Sequence, residues 1–219
     1  MATGDGEDRG IRGLYDLLVD AFEIEEWWPA DTDFEMMVGA VLTQNTAWTN
    51  VETSLSALRD TGLLDPAALL ACPQDVLADL IRPSGSYNQK AGYLRALASW
   101  AIEKGDAARL MSTAELRDDL MGVRGVGPET ADDILLYVYG RPVFIFDAYA
   151  RRLLKAAGFP VATTYEATRR LLAPAVDEAG LTASEHGRLH GLIVAAGKHA
   201  RAHGWESILA GGGERAAAP

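Results

Sequence analysis

An all-α protein is what this sequence predicts, and three observations predict it. Apolar residues recur at the three-to-four-residue spacing of a single helix face along most of the chain. Runs that alternate apolar with polar, the mark of half-buried strands, are absent. Proline, serine, threonine and aspartate stand at the heads of the periodic runs, where cap and first-turn positions favour them.

Taken in order, residues 11–22 form one amphipathic run through Leu14, Leu17, Leu18 and Ala21. Asp33 is placed to cap a second, with an apolar stripe of Met37, Val38, Val41 and Leu42. Residues 47–58 carry Trp48, Val51, Leu55 and Leu58 and end near Thr61-Gly62. Pro66 and Pro73 each open a short helix. Ser86 or Asn88 begins a longer one through Tyr93, Leu94, Leu97 and Trp100 that stops near Gly105. A helix at 113–121, a glycine turn and a helix at 128–139 follow, and helices at about 146–157, 164–178 and 184–203 complete the chain.

At 219 residues and 48% hydrophobic, the chain can bury a substantial core without needing two independent folds. No apolar run approaches a membrane span and no charged-then-apolar leader opens the chain, so a cytoplasmic location is expected. The glycine- and acid-rich start and the small-residue tail at 211–219 are expected to be flexible. The single cysteine, Cys72, rules out an internal disulfide.

The most informative segment is Gly122-Val123-Arg124-Gly125-Val126-Gly127-Pro128-Glu129-Thr130-Ala131. Two glycines around Val126 let the backbone turn tightly and approach another surface, while Val126 anchors the turn. Pro128 suits the first helical turn, where its missing amide costs nothing. The new helix then presents free amides and a positive dipole end, a phosphate-sized anion site. An ordinary glycine-closed helix connection has the same pattern. Asp147 lies twenty positions beyond Gly127, after the Gly140-Arg141-Pro142 loop and the apolar Phe144-Ile145-Phe146 run. On spacing alone it is equally a catalytic carboxylate or the N-cap of the helix beginning at Ala148.

Hairpin, second helix, loop, apolar run and aspartate together resemble the helix-hairpin-helix DNA glycosylase superfamily typified by endonuclease III. The resemblance extends back to Val38-Gly39-Ala40-Val41-Leu42-Thr43-Gln44-Asn45-Thr46, similar to the family's helix and glutamine-bearing loop, and to Tyr87-Asn88-Gln89-Lys90-Ala91, similar to its Tyr-x-x-Lys-Ala signature. It covers about residues 33–155 in the family's order. The resemblance implies two helical lobes with a DNA-binding cleft: residues 33–139 in a barrel-like lobe with the hairpin, 1–32 plus 140–210 in the second, and a flexible tail at 211–219.

It further implies a glycosylase of base excision repair that flips a damaged base from double-stranded DNA and hydrolyses its N-glycosidic bond. Asp147 matches the family's catalytic aspartate, with a carboxylate to stabilise the sugar cation and orient water. Glu129 stands where bifunctional relatives carry a lysine that forms an imine, so no AP-lyase activity is expected. Gln44 resembles the residue that fills the vacated stack, though bonding within its own loop is also open to it. Gly125, Gly127, Thr130 and Arg151 are the further DNA-binding candidates.

Trp27-Trp28-Pro29 and Trp48 are candidate base-pocket residues, against the commoner fate of tryptophan in a core. With Glu129 and the lack of a cysteine cluster, they resemble the bacterial monofunctional 3-methyladenine glycosylases, which makes an alkylated purine the expected substrate and cation–π attraction its recognition. The alternatives are an endonuclease III-like enzyme for oxidised or mismatched pyrimidines and a non-catalytic DNA-binding paralogue.

An iron–sulfur cluster needs several thiolates and none occurs in residues 186–219, so none is expected. By analogy with the motif, carbonyls of Met121, Val123 and Val126 would hold a monovalent cation. His186 with His190, and His199 with His203, have the i,i+4 spacing that zinc accepts, but no catalytic water arrangement accompanies them. A net charge of −11 runs against phosphate binding. Much of the acid falls near the start (Asp16, Asp20, Glu23, Glu25, Glu26), and basic residues cluster at Arg141, Arg151, Arg152, Lys155, Arg188, Lys198 and Arg201. A nucleoid-associated monomer with weak, salt-sensitive binding is the expectation.

Overall fold

The structure, a computed structural model, describes residues 10–24, 27–210 and 216–217. In chain order the helices are α1 (Ile11–Ala21), α2 (Asp33–Leu42), α3 (Trp48–Asp60), α4 (Pro66–Ala71), α5 (Gln74–Leu80) and α6 (Tyr87–Ala108), with a 3-10 turn at Arg82–Ser84 before α6. There follow α7 (Thr113–Met121), α8 (Pro128–Tyr137), α9 (Ala148–Ala156), α10 (Tyr165–Ala179), α11 (Ala183–His203) and α12 (Glu206–Leu209). Among the described residues the chain is all-α apart from one pair of two-residue parallel strands, β1 (Phe22–Glu23) and β2 (Ala216–Ala217). That pair was not foreseen, because two residues are too few to show alternation. The flexible ends expected at the start and at 211–219 otherwise lie outside the described residues.

The chain divides into a central unit, Trp28–Arg141, and a terminal unit, Met1–Trp27 with Pro142–Pro219. In the central unit α2 packs against α3, α6 and α8 and is buried all round from Phe34 to Leu42, more than a one-sided stripe implies. Its Glu35 is buried and paired with Arg59, so the charge is not left alone in the core. The cap is Thr32, whose hydroxyl accepts the Glu35 amide, and not Asp33. Asp33 is the first helical residue, and its carboxylate pairs with Arg109 instead.

Local sequence explains most other boundaries. Asp65 caps α4 with Pro66 at the first turn, and Pro73 sits just outside α5 as its N-cap. Ser112 and Glu115 form a reciprocal capping box on α7, as Thr182 and Glu185 do on α11. Helix α6 runs on past Gly105, carrying Ala108 into the core. Helix α8 stops at Tyr137, two residues before the expected end, as Gly140 adopts φ 61° and Arg141 N–H returns to Leu135. The terminal unit is built on α1, α9, α10 and α11, whose Ile11, Leu14, Leu18, Leu153, Leu154, Leu172, Leu192 and Ile193 share one buried cluster with Phe144 and Phe146.

Candidate functional site

Within the central unit the glycine turn joins α7 to α8. Val123 accepts the Val126 amide at 3.0 Å and Gly127 accepts the Ala131 amide at 2.8 Å. Gly125 has φ 94°, and a Cβ there would sit 2.1 Å from the Tyr93 ring. Both the backbone and the neighbouring ring therefore demand glycine. At Gly127 nothing lies within 4 Å of an added Cβ, so the fold leaves that position open. Gly127 caps α8 without a side-chain bond, and Pro128 follows. A buried two-pronged pair, Arg117 to Asp132 at 2.6 and 3.3 Å, holds the two helices of the hairpin to each other.

The glutamine loop lies against this turn. Gln44 Nε2 donates to the Gly125 carbonyl at 2.9 Å and to Thr130 Oγ1 at 3.0 Å. Thus Gln44, Gly125 and Thr130, remote in sequence, meet in one place. Glu129 is exposed in the first turn of α8, where the helix dipole favours its charge. Met121 is exposed and Val126 buried, with Val123 between them in exposure. Arg124, unremarked in the sequence, holds its guanidinium 6.0 Å from the Tyr93 ring centre.

The tryptophans divide. Trp28 is buried in the central unit, 5.7 Å from Trp48 and 5.2 Å from Tyr137 between ring centres. Trp48 is 36% exposed, and Tyr137 is partly exposed on α8. Trp28 also sits at φ 58°, unusual for a bulky residue. Trp27 packs in the terminal unit with its ring 5.6 Å from that of His190. Tyr137 carries no signal in the sequence beyond its place in a helical run.

Asp147 lies in the terminal unit and caps α9: its Oδ1 accepts the Ala150 amide at 2.6 Å. Its other oxygen, Oδ2, is 3.9 Å from His190 Nε2, and both side chains are largely buried. The cap and the carboxylate beside a histidine coexist, since the carboxylate has two oxygens. His190 was considered in the sequence only as half of an i,i+4 pair, and nothing there joins it to Asp147. Arg151 donates to the Thr163 carbonyl at 3.2 Å.

The other histidines divide as well. Burial pushes His186 down to about 4, and its Nδ1 has no hydrogen-bond partner among the described residues. His199 and His203 stack at 4.3 Å on α11. Among the described residues no group of three or more His, Cys, Asp or Glu is placed to hold a metal ion. No helix among them is long and apolar enough to cross a membrane.

Comparison with known proteins identifies the family of this all-α scaffold. Residues 38–177 match the HhH-GPD superfamily of base excision DNA repair proteins. A candidate DNA repair glycosylase of Methanocaldococcus jannaschii is 41% identical over 153 residues, 68% of this chain and 70% of that protein. The crystal structure of an H. pylori 3-methyladenine DNA glycosylase bound to 1,N6-ethenoadenine superposes with a TM-score of 0.71 at 29% identity, covering 86% of this chain and 94% of that one. An endonuclease III trapped as a covalent intermediate with DNA shares the fold, with a TM-score of 0.69 at 23% identity over 86% and 85% of the two chains. The chain belongs to the HhH-GPD superfamily, in the class of DNA glycosylases of base excision repair.

Proposed function

We propose that this chain is a monofunctional glycosylase that extrudes an alkylated purine such as 3-methyladenine from double-stranded DNA and hydrolyses its N-glycosidic bond with Asp147. The observation that carries the substrate class is the aromatic group of Trp28, Trp48 and Tyr137, rings from the loop before α2, from α3 and from α8, with Trp48 partly exposed. Flat π-faces attract a cationic alkylated purine more than a neutral pyrimidine. The similarity to a 3-methyladenine glycosylase over 86% of this chain supports the same class.

The chemistry follows from the carboxylate. As the C1′–N bond breaks, its electron pair leaves with the base and positive charge develops on the sugar. Asp147, its Oδ1 fixed by the α9 amide, offers Oδ2 to that charge and to the incoming water, whose proton it accepts. Oxygen then bonds to C1′ and the DNA backbone stays intact. Glu129 provides no amine for an imine, which supports hydrolysis without strand cleavage. Phosphate binding is assigned to the start of α8, which no side chain caps, with Gly127 as the close-approach position and Gln44 as the residue that enters the vacated stack. A monovalent cation, if held, would use the carbonyls of Met121, Val123 and Val126, for which the tight Val123–Val126 turn is suited, and would add positive charge toward phosphate. Cys72 is the sole cysteine of the sequence, so these residues cannot supply the thiolates of an iron–sulfur cluster.

Duplexes carrying single methylated purines, uracil, thymine glycol or a G·T mismatch test this directly. Release of the methylated purine, with no adduct trapped by borohydride, is the expected result. Preference for thymine glycol, or a robust trapped adduct, would transfer the chain to the endonuclease III type; no release from any duplex would make it a binding paralogue.

A further inference from the structure

We propose that Lys90 is the positioning residue of the Gln44 loop, its ammonium fastening that loop in the shape needed to enter DNA before DNA arrives. This rests on the role assigned above to Gln44. Lys90, on α6, is 3% exposed, an unusual fate for lysine. Its Nζ donates to the carbonyls of Leu42 (2.8 Å), Gln44 (2.9 Å) and Ser84 (2.8 Å) and to Thr46 Oγ1 (2.8 Å). Three ammonium hydrogens serving four oxygens means that one bond is shared.

These oxygens belong to three separate pieces of chain: the last residue of α2, the loop itself, and the 3-10 turn before α6. The Leu42 carbonyl is at the negative end of the α2 dipole, which favours a cation there. Burial pulls the ammonium down to about 8, so it still carries its charge at neutral pH. Thr46 Oγ1 adds a bond to the Gln44 carbonyl at 3.1 Å, and Asn45 sits at φ 52°, a conformation asparagine tolerates. The loop backbone is thereby held on one side by Lys90, and the Gln44 side chain on the other by Gly125 and Thr130. A side chain that must replace a base in the stack gains from being ordered beforehand, since the ordering cost is then borne by folding. In Lys90→Met the carbonyls lose their common donor and the loop its shape, while the hairpin, fixed by Arg117–Asp132 and by Tyr93 against Gly125, does not depend on that bond.

The test uses the full chain and a duplex with 2-aminopurine opposite a tetrahydrofuran abasic analogue, where entry of the loop changes fluorescence without requiring the true lesion. Wild type should change the signal at saturation. Lys90→Met should lose that change yet bind an intact duplex as wild type does, with Lys90→Arg restoring part of it. Gln44→Ala should show the same loss, and the double variant no more than either alone. Full fluorescence change in Lys90→Met overturns the proposal, as does loss of intact-duplex binding in the same proportion, which would mark a general fold defect. If Lys90→Met fails to fold, the partly exposed Thr46→Val carries the test: a reduced signal supports the proposal and an unchanged one overturns it. A wild-type protein that binds the probe duplex without altering its signal would overturn the wedge role of Gln44 itself, an outcome distinct from failure at Lys90 alone.

Discussion

Two helix starts in this chain solve the same problem in opposite ways. Every helix begins with amides that have no partner in the preceding turn. At α9 the chain satisfies them itself: Asp147 folds back onto the Ala150 amide. At α8 it does not, because Gly127 has no side chain to offer and Pro128 follows at once. The closed start fixes a carboxylate and leaves its second oxygen 3.9 Å from His190 Nε2. On the proposed reading the open, uncapped start receives an outside anion, and the turn before it is shaped by Tyr93 packed at Gly125. Cap chemistry thus separates, on that reading, a reacting group from a gripping one, each within its own unit.

The largest effect should come from the closed start. Asp147→Asn keeps an acceptor for the cap and removes the charge, so single-turnover excision should fall roughly a thousandfold with melting temperature unchanged. Asp147→Ala should lose the cap too, at about 1 kcal/mol of stability. Near-wild-type excision by Asp147→Asn would leave the aspartate as a cap only.

Next come the rings packed with α8, the helix of the open start. Trp28→Ala, a core truncation, should cost about 3 kcal/mol in denaturant melts. Trp48→Ala should cost far less in stability and about 1–3 kcal/mol in lesion excision, if it stacks on the base. Equal stability losses at both would place all three rings in the core and remove them from recognition.

Acid should act through the terminal unit, which holds the closed start. His186 is buried uncharged, with its folded value about 4 against an ordinary 6.5. The unfolded chain therefore binds the extra proton between those values, and stability is full above about pH 6.5 and lost progressively as pH falls toward 4. The loss should be on the order of 3 kcal/mol in melts across that window, and absent in His186→Leu. The same acid step in the variant would assign it to other groups.

The smallest effect belongs to the open start. Gly127→Val has room in the fold, so melting should hold while affinity for damaged and intact duplex alike drops about tenfold, phosphate contacts being blind to sequence. A loss confined to damaged DNA would move the turn to the base pocket.

How far the sequence foretold these features depends on how local their causes are. Helix α7 was legible at both ends, because Ser112, Glu115 and the following glycine act within a few residues of one another. Helix α6 was read as stopping near Gly105 and continues to Ala108, since burial of Ala108 outweighs one glycine. The four-residue α12 was missed for lack of a full period. At the candidate site, the turn glycines and Asp147 were visible through spacing. The approach of His190 to Asp147, the cage of oxygens around Lys90 and the addition of Tyr137 to Trp28 and Trp48 were not. Each joins residues far apart in the chain: the signature around Lys90 and the i,i+4 spacing of His190 are local, and neither says which distant groups the side chain meets.

Helix α11 carries a lesson for anyone who would stabilise this protein. Replacing a helical glycine with alanine is a routine way to raise stability, worth about 0.5–1 kcal/mol where the site is unconstrained. At Gly191 an added methyl would stand 2.8 Å from Trp27, and at Gly197 2.1 Å from Tyr149. Both glycines are notches cut for an aromatic ring, and filling either would push that ring out of its seat. Gly105 in α6 has nothing within 4 Å of the same methyl. Thermostabilisation by substitution should therefore begin at Gly105 and leave α11 untouched.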